Sequence, residues 1–209
     1  MRAYRRVGSA ATAFVLLLGG TSVAAVINGT NGNEVLAGTK KGDVIRGKGG
    51  NDLLAGNKGN DRLIGGPGND TLAGMRGNDE SRGGAGDDDL VEFDPTTPAV
   101  RGFGLGALRR GIAEGVQLPG RDRLFGGKGR DELDGSGGRD RLDGGPGEDF
   151  LIGGRGRDRL IGGAGSDEII SIDGFRDVVI CGGGADEVLA DGLDQTADDC
   201  EAVTVPPPP

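Results

Sequence analysis

Written in nines from Gly29, the chain aligns with itself as GTNGNEVLA, GTKKGDVIR, GKGGNDLLA, GNKGNDRLI, GGPGNDTLA, GMRGNDESR and GGAGDDDLV. After an interruption it resumes as QLPGRDRLF, GGKGRDELD, GSGGRDRLD, GGPGEDFLI, GGRGRDRLI and GGAGSDEII. One extra residue, Ser171, then slips the frame before IDGFRDVVI and CGGGADEVL. Across these fifteen units position 6 is Asp in fourteen and Glu34 in the other; position 8 is aliphatic in fourteen, with Ser81 the exception. A fixed period held for so long marks a solenoid, in which each repeat contacts only its neighbours.

The residue types predict how one unit is built. Glycines at positions 1, 2 and 4 permit positive φ and close backbone approach, as a tight turn requires. The triplet at 7 to 9 predicts a short strand with one side chain pointing inward. Nine residues then make one turn and one strand. Successive strands must fall on opposite sheets for their inward residues to face each other, so two units complete a coil and units two apart stack. One aliphatic residue in nine buries little apolar surface against the entropy of nine ordered residues. Stacking also lines up the position-6 carboxylates in two rows of like charge. A hard divalent cation answers both problems, because it takes six to eight oxygens from carboxylates and backbone carbonyls. Calcium suits such turns better than magnesium, which demands a rigid octahedron and keeps its waters. The alternative is that Asp at position 6 makes metal-free Asx-turns, since Asp and Gly are ordinary turn residues.

GGPGNDTLA, GGAGDDDLV and GGPGEDFLI resemble the GGxGxDxUx nonapeptide of the RTX, or haemolysin-type, calcium-binding repeat family. The resemblance covers residues 29–91 and about 117–189. It implies a parallel β-roll with calcium between turns two units apart, held by position-6 carboxylates and turn carbonyls. Carried over by position, the implied ligands are Asp43, Asp52, Asp61, Asp70, Asp79 and Asp88 in the first block. In the second they are Asp122, Asp131, Asp140, Asp149, Asp158 and Asp167, followed past the frame slip by Asp177 and Asp186.

The expected fold is therefore all-β, a parallel β-roll (β-solenoid) of nonapeptide repeats in two blocks. The expected divisions are a signal peptide over 1–25, a first block over 26–91 and an insertion loop over 92–116. A second block over 117–189 and an acidic cap with a Pro-rich tail over 190–209 complete the chain. MRAYRR supplies a positive n-region, VGSAATAFVLLLGG an apolar stretch, and TSVAA a small-residue cleavage site after Ala24 or Ala25. The apolar run is shorter than the roughly 20 residues of a membrane span. Such a signal departs from RTX toxins, which are generally exported in one step through an uncleaved C-terminal signal. Cys181 and Cys200, an even count in an exported chain, predict a disulfide tying the cap.

Composition excludes several function classes. The chain has no His, which removes the commonest general base and metal ligand. Its net charge of −9 repels nucleic acid and attracts cations. No GxxxxGK[ST] phosphate loop and no EF-hand pattern occurs. With little chain outside the repeats, the expectation is not an enzyme but an exported calcium-binding structural or interaction protein. The alternatives are a surface adhesin or matrix component, or the secretion and folding part of a calcium-dependent hydrolase. Arginines recurring at positions 5 and 7 of the second block predict a solvated face in preference to a functional basic stripe. Calcium ions are the expected partners, with no nucleic acid and no transmembrane segment.

Overall fold

The computed structural model describes residues 13–15, 23–91 and 119–206. Most of the expected signal segment and the whole 92–116 insertion lie outside the described residues. Within them the chain alternates short strands with glycine turns and forms no helix. Odd and even units feed different sheets, as the single inward residue per unit requires. The first sheet stacks ten parallel strands in the order Ala13–Val15, Glu34–Ala37, Leu53–Ala55, Thr71–Ala73, Asp89–Val91, Glu132–Asp134, Phe150–Ile152, Glu168–Ile170, Glu187–Leu189 and Ala202–Thr204. The second stacks nine, in the order Val26–Asn28, Val44–Arg46, Arg62–Pro67, Glu80–Ala85, Arg123–Lys128, Arg141–Pro146, Arg159–Ala164, Val178–Gly183 and Gln195–Thr196.

The position-8 residues make the core. Leu36, Leu54, Leu72, Leu90, Leu133, Leu151, Ile169 and Val188 form one buried column. Ile27, Ile45, Leu63, Ser81, Leu124, Leu142, Leu160 and Val179 form the other. Ser81 sits in register between Leu63 and Leu124, fully buried, with its hydroxyl unpartnered. Ile27 extends the second column one half-coil before the first recognisable repeat.

The two repeat blocks form one continuous stack. Glu80–Ala85 pairs directly with Arg123–Lys128, and Asp89–Val91 with Glu132–Asp134, so the coil that follows the insertion in sequence stacks on the coil that precedes it. The Ser171 slip is absorbed in a turn, since Arg159–Ala164 still pairs in order with Val178–Gly183. The acidic tail, which carries no repeat, nevertheless adds a further coil. Gln195–Thr196 pairs with Val178–Val179, and Ala202–Thr204 with Glu187–Leu189. Cys181 occupies a buried position-1 site and is disulfide-bonded to Cys200, fixing that last coil to the one before it.

The outward positions 7 and 9 sort by charge. Those of the second sheet hold Arg46, Arg62, Arg82, Arg123, Arg141 and Arg159 against Glu80 and Asp143. Those of the first sheet hold Asp89, Glu132, Asp134, Glu168 and Glu187 with no basic residue. On the basic side Glu80 pairs with Arg62, Arg82 and Arg123, and Phe125 lies beneath the guanidinium groups of Arg82, Arg123 and Arg141. Of the second-block arginines, Arg123, Arg141 and Arg159 fall on this face, where Arg123 pairs with Glu80 and Arg141 with Asp143; it is the expected solvated face of mixed charge, with arginine in excess.

Candidate metal centre

The turn preceding each strand delivers its position-6 side chain inward and along the solenoid axis. All fourteen Asp of the expected ligand set are buried. One carboxylate oxygen of each accepts a backbone N–H two units earlier, in most cases that of another position-6 Asp. On the second-sheet side, Asp43 N–H donates to Asp61 Oδ1 (2.6 Å), Asp61 to Asp79 (2.7 Å) and Asp79 to Asp122 (2.6 Å). The ladder continues through Asp140, Asp158 and Asp177. On the first-sheet side it runs from Glu34 N–H to Asp52 and on through Asp70, Asp88, Asp131, Asp149, Asp167 and Asp186. Neither the insertion nor the slip breaks a rung.

Two acids that sequence reasoning left out of the ladders complete them. Asp177 N–H donates to Asp194 Oδ1 (2.9 Å), and Asp186 N–H to Glu201 Oε2 (3.2 Å). Their spacings of 17 and 15 residues depart from the period of 18 that runs through the repeats, which concealed them. At the other end, Glu34 turns back on its own unit and accepts from Thr30 N–H and the Thr30 hydroxyl.

The second oxygen is the chemically informative one. Oδ2 of Asp52, Asp61, Asp70, Asp79, Asp88, Asp131, Asp140, Asp149, Asp158, Asp167, Asp177 and Asp186 is buried and has no hydrogen-bond partner. A charged oxygen in that condition is costly unless a cation meets it. Asp43 differs, because Thr39 N–H donates to its Oδ2 and the Thr39 hydroxyl to its Oδ1. Backbone carbonyl oxygens lie close to several of these orphaned oxygens. A Cβ placed at Gly65 would collide with Asp70 Oδ2 and stand 2.8 Å from the Gly83 carbonyl oxygen. The same convergence recurs at Gly47, Gly56, Gly126 and Gly144. Carboxylate and carbonyl oxygens, with no nitrogen or thiolate, are the donor set of a hard cation such as calcium.

Burial pushes these carboxyls up from the ordinary range, against the pull of the backbone N–H each accepts. Asp61, Asp88, Asp131 and Asp177 rise to about 7 and Asp158 to about 8, with neighbouring carboxylates adding to the shift. Without a cation the folded state thus favours protonation of the very groups a metal would need ionised.

Four segments, residues 28–63, 56–90, 118–151 and 143–171, match the family model of the RTX calcium-binding nonapeptide repeat and together span more than half of the chain. No curated protein matches it.

Proposed function

The chain belongs to the RTX calcium-binding nonapeptide repeat family, and from that premise we propose that it is an exported protein whose β-roll folds on calcium held between stacked turns. The observation that carries this reading is the set of buried, unpartnered Oδ2 atoms. Calcium would neutralise them and draw on the adjoining glycine carbonyls. The proposed ligands are the position-6 residues from Asp52 to Asp186, with Asp43 weaker because Thr39 already serves its carboxylate. Metal binding is then folding free energy, and chelation is unfolding.

Export is supported by the disulfide, which persists in oxidising compartments. Cleavage after Ala24 would remove the edge strand Ala13–Val15 from the first sheet and leave the new ammonium of Ala25 2.5 Å from Asp43 Oδ1, a favourable place for it. No helix among the described residues is long and apolar enough to cross a membrane. We assign the protein a structural or interaction role and no catalytic one. Calorimetric titration of the chelated full chain tests the reading. Many calcium ions bound per chain, with far weaker uptake of magnesium, is the expected result; no calcium uptake would refute it.

Surface association is favoured as the form of that role by the arginine stripe of the second sheet. A basic face on a net-acidic protein suits an anionic polymer laid along the solenoid. Salt-sensitive retention on a polyanion matrix, lost on chelation, is the expected behaviour.

A further inference from the structure

We propose that Asp173, which belongs to neither ladder, joins Asp158 and Asp177 in a three-carboxylate site that takes calcium ahead of the repeat sites. The inference rests on the calcium reading of the repeats and adds to it a site their pattern does not contain. One carboxylate oxygen from each of the three residues lies within 4.8 Å of the other two. No other three acids converge in this way among the described residues. The one other cluster, Cys181, Asp199 and Cys200, has both sulfurs committed to the disulfide.

A second observation points to a ligand. Asp158 is 3% exposed and Asp177 0%, and Oδ2 of each has no partner. Their Oδ1 atoms are already held by the N–H groups of Asp140 and Asp158. Asp173 is fixed beside them by two backbone donors, Gly156 N–H to Oδ2 (2.6 Å) and Phe175 N–H to Oδ1 (2.7 Å). Three carboxylates at this separation repel one another strongly unless a cation lies between them.

The frame slip creates the arrangement. Ser171 is buried, with its N–H on the Leu189 carbonyl (2.9 Å) and its hydroxyl on Asp194 Oδ2 (3.0 Å). The unit that follows, IDGFRDVVI, therefore enters one residue late and carries an Asp where the consensus unit has glycine at position 2. Its turn is completed by Gly174, at φ +84°, whose N–H donates to Asp191 Oδ2. Ligand charge count is a main determinant of calcium affinity in oxygen sites. A site where three carboxylates converge fills before repeat sites where fewer do.

Calorimetric calcium titration of the chelated full chain separates the possibilities when wild type is compared with Asp173→Asn. Asparagine removes the charge and keeps one acceptor oxygen, so one of the two backbone donors, Gly156 N–H or Phe175 N–H, loses its partner. The wild type should show one tight equivalent before a weaker class, and Asp173→Asn should weaken that equivalent by about tenfold or more while leaving the weaker class. An unchanged tight equivalent overturns the proposal. Absence of the weaker class from the wild type itself would instead overturn the repeat reading. Europium excitation spectra of the wild type cover the case in which the variant fails to fold. A first equivalent whose line differs from later ones, as greater ligand charge requires, supports the site; a single line throughout overturns it.

Discussion

Gly65 shows what a glycine does here beyond turning the chain. Its own φ is not in the left-handed region; Gly66 and Gly68, at φ +124° and +139°, carry the turn. Gly65 is needed because the space beside its Cα is taken by Asp70 Oδ2 and the carbonyl of Gly83. Gly65→Ala should therefore destabilise the calcium-loaded roll by about 1–3 kcal/mol, the usual range for overpacking. Urea unfolding in excess calcium measures it, and an unchanged midpoint would mean that the turn has room to spare. In the sequence the two glycine roles are indistinguishable. All three positions read alike, as positive φ or close approach, and only the position of the carboxylate separates a steric glycine from a torsional one.

At the scale of the strand and its turn, the position-6 ladders set the response to pH. Ordinary aspartates titrate near 3.8, and in the metal-free fold Asp61, Asp88, Asp122 and Asp131 titrate near 7. Because their folded values are raised, the folded state binds more protons than the unfolded chain between these limits. Stability of the metal-free roll should thus fall as pH rises from about 4 to about 8. Calcium opposes this dependence, since it competes with those protons and releases them on binding. The expected outcome is β structure in chelator at acid pH that melts on neutralisation. Circular dichroism across that range measures it, and a metal-free signal that strengthens with rising pH would contradict the assignment. The members of the ladders were legible from the period, Asp177 and Asp186 beyond the Ser171 slip among them. Asp194 and Glu201 were not, because the tail keeps the coil while abandoning the glycine turns and aliphatic strands that mark it. Pairing by backbone hydrogen bonds tolerates spacings of 17 and 15 that a search at the repeat period does not reveal. Ser81 was legible as a gap in the aliphatic column, and the structure adds that its buried hydroxyl goes unanswered.

Taken whole, the described residues form a single thin stack with two charged flanks, a narrow apolar seam and two internal lines of acid. The seam holds one side chain per half-coil, so it cannot by itself define a stable domain in the way a thick core does. The excess of arginine at the outward positions of one sheet, and the lack of any basic residue at those of the other, arise because odd and even units face opposite ways. The C-terminal coil is joined to the rest through the disulfide and two strand pairs, giving the stack a fixed end. The buried carboxylates still need a counter-charge, and calcium is the ion assigned to supply it. Far-UV circular dichroism of the chelated full chain at neutral pH, titrated with calcium, tests this most directly. The expected result is a largely unfolded spectrum in chelator and a cooperative gain of β signal with calcium that equal magnesium does not produce. A full β spectrum in chelator, unchanged by calcium, would contradict it.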